Sequence, residues 1–255
     1  MKDHDTTMGG CNEGFKTTYW SMLENAHTEN PQRNQALIEF LLKHYWKPVY
    51  CYLRCRGVDN EQAKDLTQGF FHEVVIKKDL IKKADRSKGR FRTFLLAALN
   101  NYHINEHKKA NAKKRCPEHG YVSWESVKML NLPQFVTQMT PEDAFTYAWV
   151  SDFLEEVLEQ VAQQFQQEGK IVYWQLFHEH FLMPITTGEN QDSLESLCQR
   201  HQIDNPTKAS NMMVTVKRRL QKILRERLRS MVISDDEVEQ ELRDIRAFLP
   251  SIAQP

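Results

Sequence analysis

Residues 205–228, NPTKASNMMVTVKRRLQKILRERL, are the stretch on which the fold turns. Asn205 before Pro206 is a helix start: a side-chain oxygen placed to accept first-turn amides, then a proline whose missing N–H costs nothing at the first helical position. Ala209, Met213, Val216, Leu220, Leu224 and Leu228 recur at helical spacing and make a core-facing stripe. Thr207, Lys208, Ser210, Asn211, Thr215, Lys217, Arg218, Lys222 and Arg225 then fall mostly on other faces. Short polar side chains at the start and bases further along suit a helix that meets base edges and phosphates. The plainer alternative is a bundle helix with a basic outer face. A short helix capped at Asp192-Ser193 and ending near His201 precedes it, and Gln202 to Asn205 supply a tight turn, which together read as helix–turn–helix.

The rest of the chain is also helical in pattern. From about Gln32 to Arg56, Leu37, Phe40, Leu41, Tyr45, Val49 and Tyr52 form a stripe, with Pro48 expected to kink or break it. Asp59-Asn60-Glu61-Gln62 has capping-box form and opens a helix whose apolar face is Ala63, Leu66, Phe70 and Val74, fading near Lys77. A polar connection, Asp79 to Arg90, leads to a third helix with Phe91, Phe94, Leu95, Ala98, Leu99 and Tyr102 inside; its basic end, to Arg115, is expected to project from the body or to be a solvated terminus. Cys116 to Asp143 loses periodicity, carries three prolines and reads as a pliable linker in which Trp124, Leu130, Leu132 and Phe135 are able to dock. Helices follow at about Pro141 to Gln167, with Trp149, Phe153, Leu154, Val157, Leu158, Val161 and Phe165 inside, and at Ile171 to Leu182, before a loop from Met183 to Asn190. Ser234-Asp235-Asp236-Glu237 opens a last, acidic helix with Val238, Leu242, Ile245 and Leu249 as its stripe; it is expected to pack on the second half and, more weakly, to mask basic surface when DNA is absent.

These elements predict an all-α protein of two helical domains joined by a linker. Residues 1–31 are a tail whose aromatic segment (Phe15, Tyr19 to Leu23) docks on the body, 32–115 a first domain, 116–143 the linker, 144–232 a helix–turn–helix domain, and 233–255 an acidic C-terminal helix and tail. Composition agrees: nine glycines and nine prolines in 255 residues leave few short turns, and no apolar run approaches a membrane span or a signal peptide. Mean hydropathy is −0.63. The five cysteines are odd in number and scattered, which fits a reduced, cytoplasmic setting without disulfides. His178, His180, Cys198 and His201 do not make a four-ligand set at zinc-like spacing, and no paired-carboxylate, P-loop or nucleophile-elbow pattern occurs, so no metal, cofactor or catalytic residue is expected and the chain is not read as an enzyme.

Formal charge is zero, yet it is segregated. Lys77 to Arg115 holds thirteen basic and three acidic residues, a local +10, and Pro206 to Ser230 eight and one, a local +7. Two cationic tracts in an acidic remainder of −17 point to an anionic partner more clearly than net charge does.

Three stretches carry a resemblance: Tyr45-Trp46-Lys47-Pro48-Val49-Tyr50-Cys51-Tyr52-Leu53-Arg54, Asp65-Leu66-Thr67-Gln68-Gly69-Phe70-Phe71, and Gly89-Arg90-Phe91-Arg92-Thr93-Phe94-Leu95-Leu96-Ala97-Ala98-Leu99. They resemble region 2 of the extracytoplasmic-function (ECF) sigma factors of the sigma-70 family, closest to a planctomycete-like subgroup whose opening segment is echoed by Thr17-Thr18-Tyr19-Trp20-Ser21. The second half resembles region 4 of the same family, with an acidic tail, so the likeness covers about Phe15 to Leu249. Asn205-Pro206 stands where the family often has a short hydroxyl or acidic residue, and base preferences are therefore not carried over.

The resemblance implies a bacterial sigma factor that binds core RNA polymerase and directs promoter recognition and transcription initiation. Asp65, Gln68, Phe71 and Glu73 would contact the clamp helices of the large polymerase subunit. Lys82, Lys83, Arg86, Lys88, Arg90, Arg92, Asn100, Asn101, Asn105, Lys108 and Lys109 would hold the melted −10 element, the 79–90 loop taking an unstacked base without an aromatic of its own, so that capture leans on hydrogen bonds and Phe91. Thr207, Lys208, Ser210, Asn211, Thr215, Lys217 and Arg218 would read the −35 element. Promoter DNA and core polymerase are the partners, an anti-sigma factor or regulatory kinase are further candidates, and no membrane is involved. The alternatives are a two-domain helical DNA-binding regulator independent of polymerase, a metal-dependent enzyme using His178 and His180, and a structural adaptor.

Overall fold

Helix α1, Pro31–Cys55, forms because its apolar residues return every three or four positions and present one face to the interior. Leu37, Leu41, Tyr45, Val49 and Tyr52 are all buried along it. Pro48 lies within the helix, which runs on to Cys55 without the expected break. A proline there costs roughly 3 kcal/mol of helix propensity, but every residue from Pro48 to Leu53 is buried, and that packing outweighs the loss.

The chain is described from a computed structural model, in which residues 31–77, 80–85, 90–113, 139–187, 190–232 and 235–248 are placed. The expected aromatic docking at residues 15–23 and most of the linker, with Trp124, Leu130, Leu132 and Phe135, lie outside them. Among the described residues every regular element is helical.

Asp59 caps α2, Asn60–Gly69, its carboxylate accepting from the Gln62 amide at 2.9 Å. Gly69 sits against Tyr102: a Cβ there would run into the phenol hydroxyl. From Phe70 to Lys77 the helix continues with wider, π-type turns. Phe70, Phe71, Val74 and Val75 are all buried along it, one wide apolar side of the segment. A short 3₁₀ turn, Leu80–Lys83, then buries Leu80 and Ile81 inside what its sequence suggests is a wholly polar connection. Helix α3, Phe91–Lys113, follows with Phe91, Leu95, Leu99 and Tyr102 inside.

Helix α4, Pro141–Gln167, is capped by Thr140, whose hydroxyl accepts from the Asp143 amide, and starts with proline. Helix α5, Ile171–Phe177, runs on through a π turn at His178–Leu182 and a further helical turn at Met183–Thr187, so that the expected loop at 183 begins later. Helices α6 (Leu194–Arg200), α7 (Pro206–Arg229) and α8 (Asp235–Phe248) complete the chain.

The expectation of two bundles held apart by a connector meets a different packing. Helix α1 lies along α4, and the buried residues of both halves form one apolar cluster. Tyr45 of α1 is edge-on to Phe91 of α3 and stacked on Phe145 of α4 at 6.4 Å, so a single ring joins three helices from the two halves. Polar groups rim the seam: Lys47 pairs with Asp152, Lys43 with Glu156 at 2.9 Å, and Arg56 with Glu142 at 3.4 Å. His44 is half-buried in the seam with Nδ1 3.6 Å from Glu156, near Lys43, Asp152 and Arg227.

Two outcomes follow from this seam. Phe145→Ala removes a fully buried ring and should cost about 3–5 kcal/mol, lowering the urea midpoint of both halves in one transition. Burial holds His44 below its ordinary value of 6.5, against the pull of Glu156. A folded state that keeps His44 neutral loses stability as pH falls below about 6.5, because the unfolded chain takes up the proton first. His44→Gln should flatten that dependence between pH 7 and 5.5, as read from denaturation midpoints.

Candidate nucleic-acid interface

The turn between α6 and α7 is built by local chemistry. Ser193 caps α6 through the Ser196 amide, and the Ile203 amide returns to the Cys198 carbonyl to close its C-terminus. Gln202 supplies the reversal at φ 53°, a left-handed position that glycine takes without strain. Asn205 then accepts from the Lys208 amide at 2.8 Å and starts α7. Across the pair, Glu179 of α5 receives Arg200 at 2.7 Å and lies 3.0 Å from His201 Nε2, fixing the turn from behind. Of the histidines that suggest metal chemistry in the sequence, His201 is engaged in this ion-pair network, while His178 lies against the Trp174 ring and His180 edge-on to Phe181. Among the described residues no three His, Cys, Asp or Glu side chains converge as a metal site.

Helix α7 separates its side chains cleanly. Ala209, Met213, Val216, Leu220, Ile223 and Leu228 face the core; Leu224, expected there, is half-buried, and Ile223 takes the deeper place. Outward stand Thr207, Lys208, Asn211, Thr215 and Arg218, one continuous face. Ser210 is half-buried. Lys217 is half-buried as well, its ammonium 4.2 Å from the Phe181 ring centroid. Thr207, Lys208, Asn211 and Thr215 line an open cleft of about 560 Å³ with Asn205, Met212 and Tyr173 of α5. The period of α7 alone does not reveal Tyr173, because it arrives from another helix.

Several cations of α7 are committed internally. Arg219 donates to Gln164 and Glu168 of α4 and covers the Phe165 ring, and Arg227 donates to Gln160 and Glu156. Lys208 pairs with Asp204 at 2.8 Å, which raises the ammonium pKa and lowers the carboxyl. Arg225 pairs with Glu239 of α8 at 2.7 Å. Arg218 has no such partner among the described residues.

On the first half, Asp65 and Gln68 are exposed on α2 and make no hydrogen bond or ion pair among the described residues. Glu73 is half-buried. Phe71, expected at the polymerase contact, is only 3% exposed and edge-on to Phe70, packed in the core beside Val74 and Val75. Lys82 and Lys83 are exposed on the 3₁₀ turn, while Arg86 and Lys88 lie outside the described residues. Asn101, Asn105, Lys108 and Lys109 are exposed along α3, and Lys109 pairs with Glu106. Asn100 is half-buried, its oxygen taken by the Tyr52 hydroxyl at 3.0 Å and Arg56 at 3.2 Å.

Arg90 and Arg92 are the residues whose placement the sequence conceals. Both reach α8, 149 or more residues away: Arg90 to Asp244 at 2.7 Å and Glu241 at 3.1 Å, Arg92 to Glu241 at 3.1 Å and Asp244 at 3.5 Å. The Arg92 guanidinium also lies 4.6 Å from the centroid of a Trp149 ring on α4. Three segments distant in sequence therefore meet at one cationic pair.

No family model, curated protein or solved structure matches the chain. No helix among the described residues is long and apolar enough to cross a membrane.

The Gln202 geometry has a direct check. Gln202→Gly should relieve the left-handed strain and raise stability by about 1 kcal/mol, roughly 2–4 °C in Tm by calorimetry, with no change at the α7 face.

Proposed function

We propose that this protein is a sigma factor of the ECF type, binding core RNA polymerase and placing it on promoters through a −10-directed first module and a −35-directed second module. The observation that carries the reading is the outward face of α7, where Thr207, Lys208, Asn211, Thr215 and Arg218 stand in line at the start of the second helix of a helix–turn–helix. The resemblance of the 45–54, 65–71 and 89–99 stretches to sigma region 2 supplies the polymerase half of the proposal. Asp65 and Gln68, exposed and unengaged among the described residues, suit the clamp contact, and the α3 face of Asn101, Asn105, Lys108 and Lys109 suits a strand of DNA.

Chemically the two faces divide the work. The cations neutralise phosphates and set register, while Asn and Thr side chains discriminate base edges. Reaching two promoter elements at once requires the halves to act as separate modules, so the α1–α4 seam would open in the working state, with the 116–143 stretch as tether. The tight seam favours a second reading, in which the chain is a compact helical DNA-binding regulator that uses α7 alone.

Retention by core polymerase decides between them. The sigma reading expects the chain to bind core enzyme at low salt and to lose that binding in the Asp65→Ala, Gln68→Ala double variant; no retention of the parent chain selects the regulator. DNA affinity should fall steeply with salt. Lys108→Ala with Lys109→Ala should weaken binding on every sequence and reduce the logarithmic salt slope by roughly 1.4–1.8, whereas Asn211→Ala should change which sequences are preferred.

A further inference from the structure

We propose that the C-terminal helix α8 is a built-in competitor for nucleic acid: its Glu241 and Asp244 carboxylates occupy the anion site formed by Arg90, Arg92 and Trp149, and a DNA strand must displace them to engage the start of α3. The proposal rests on the nucleic-acid reading of α3 above and specifies how that site is regulated.

The site has the chemistry of a phosphate receptor. Two guanidiniums converge on two carboxylates, each arginine within 3.5 Å of both, an arrangement that phosphate oxygens would satisfy in the same way. Trp149 backs Arg92 with its ring and leaves that guanidinium in place whichever anion is bound. The site is also largely covered, Asp244 being its most open group. The side chains of Arg90, Arg92 and Glu241 are 18%, 10% and 6% exposed, so DNA has no access to Arg92 while α8 is docked.

The pairing is close but not well finished, which makes it displaceable. Arg92 Nη1 and Glu241 Oε2 are buried without a hydrogen bond of good geometry, although Oε2 lies 3.1 Å from Nη2. Burial raises the Glu241 pKa despite both arginines. A buried carboxylate in that state recovers only part of its desolvation cost, which lowers what a competing phosphate has to overcome. Val238, Leu242 and Ile245 hold the other side of α8 on α7 and α4, so displacement needs the helix to lift as a unit. Because α8 also bonds Arg225 through Glu239, lifting it would free a cation of α7 as well.

Two measurements on the full chain test this. In the first, hydrogen exchange is followed with and without a single-stranded oligonucleotide. The expected result is that binding protects amides of α3 and deprotects those of α8; protection of α3 with α8 unchanged overturns the competition. In the second, oligonucleotide affinity is compared among the parent chain, Glu241→Ala with Asp244→Ala, and Asp235→Asn with Asp236→Asn. The last pair has the same charge change on the same helix away from Arg90 and Arg92. The first variant should bind at least tenfold more tightly than both others. Equal tightening by the two double variants overturns the proposal, since charge alone would then explain it. Asp244→Asn, at a half-exposed carboxylate, should shift affinity the same way by a smaller factor and guards against misfolding of the double variant. Failure of every form to bind DNA sinks the nucleic-acid reading and this proposal with it, whereas binding without α8 release removes only the latter.

Discussion

The stack of Tyr45 on Phe145 joins α1 to α4, and the architecture is organised around that seam. Both residues are buried, and on either side Val49, Ala148 and Phe153 continue the apolar contact zone. Burying the Tyr45 ring also holds its phenol far above the usual range, so it stays neutral and behaves as one more hydrophobic surface with a polar tip. Because one apolar cluster serves both halves, neither is expected to melt without the other.

Charge has to be read after packing, not before it. The tract at α7 counts +7 in the sequence, yet Arg219 and Arg227 face α4, and Arg225 and Arg229 face carboxylates of α8. What remains outward at the start of the helix is a small set of polar side chains with Lys208 and Arg218. The same holds at α3, where Arg90 and Arg92 are sequestered and the cations further along stay open. A nucleic acid approaching this closed form meets the far end of α3 and the start of α7 first. The acidic remainder of the chain is thus partly an internal counter-charge, placed where the arginines would otherwise be most accessible.

On the sigma-factor proposal, such a closed form would keep the two proposed DNA faces from working together until core polymerase is present. The seam is rimmed by ion pairs that are largely solvent-facing, worth little individually, while its apolar centre is substantial. Opening it therefore calls for a large compensating surface.

Periodicity alone located the helices, their caps at Asp59, Ser193 and Asn205, and the outward face of α7, because spacing and capping are properties of neighbours in the chain. After Gly69 the period shows only part of the buried face: beside the expected Phe70 and Val74 the core also takes Phe71 and Val75, because tertiary packing sets how wide that face is. Burial around Pro48 likewise overrode a local helix breaker. The meeting of Arg90 and Arg92 with Glu241, Asp244 and Trp149, and the union of both halves in one core, were decided only by tertiary structure. A contact between segments some 150 residues apart leaves no period in the sequence; it exists because each arginine, once buried, requires an anion that its own helix does not place within reach.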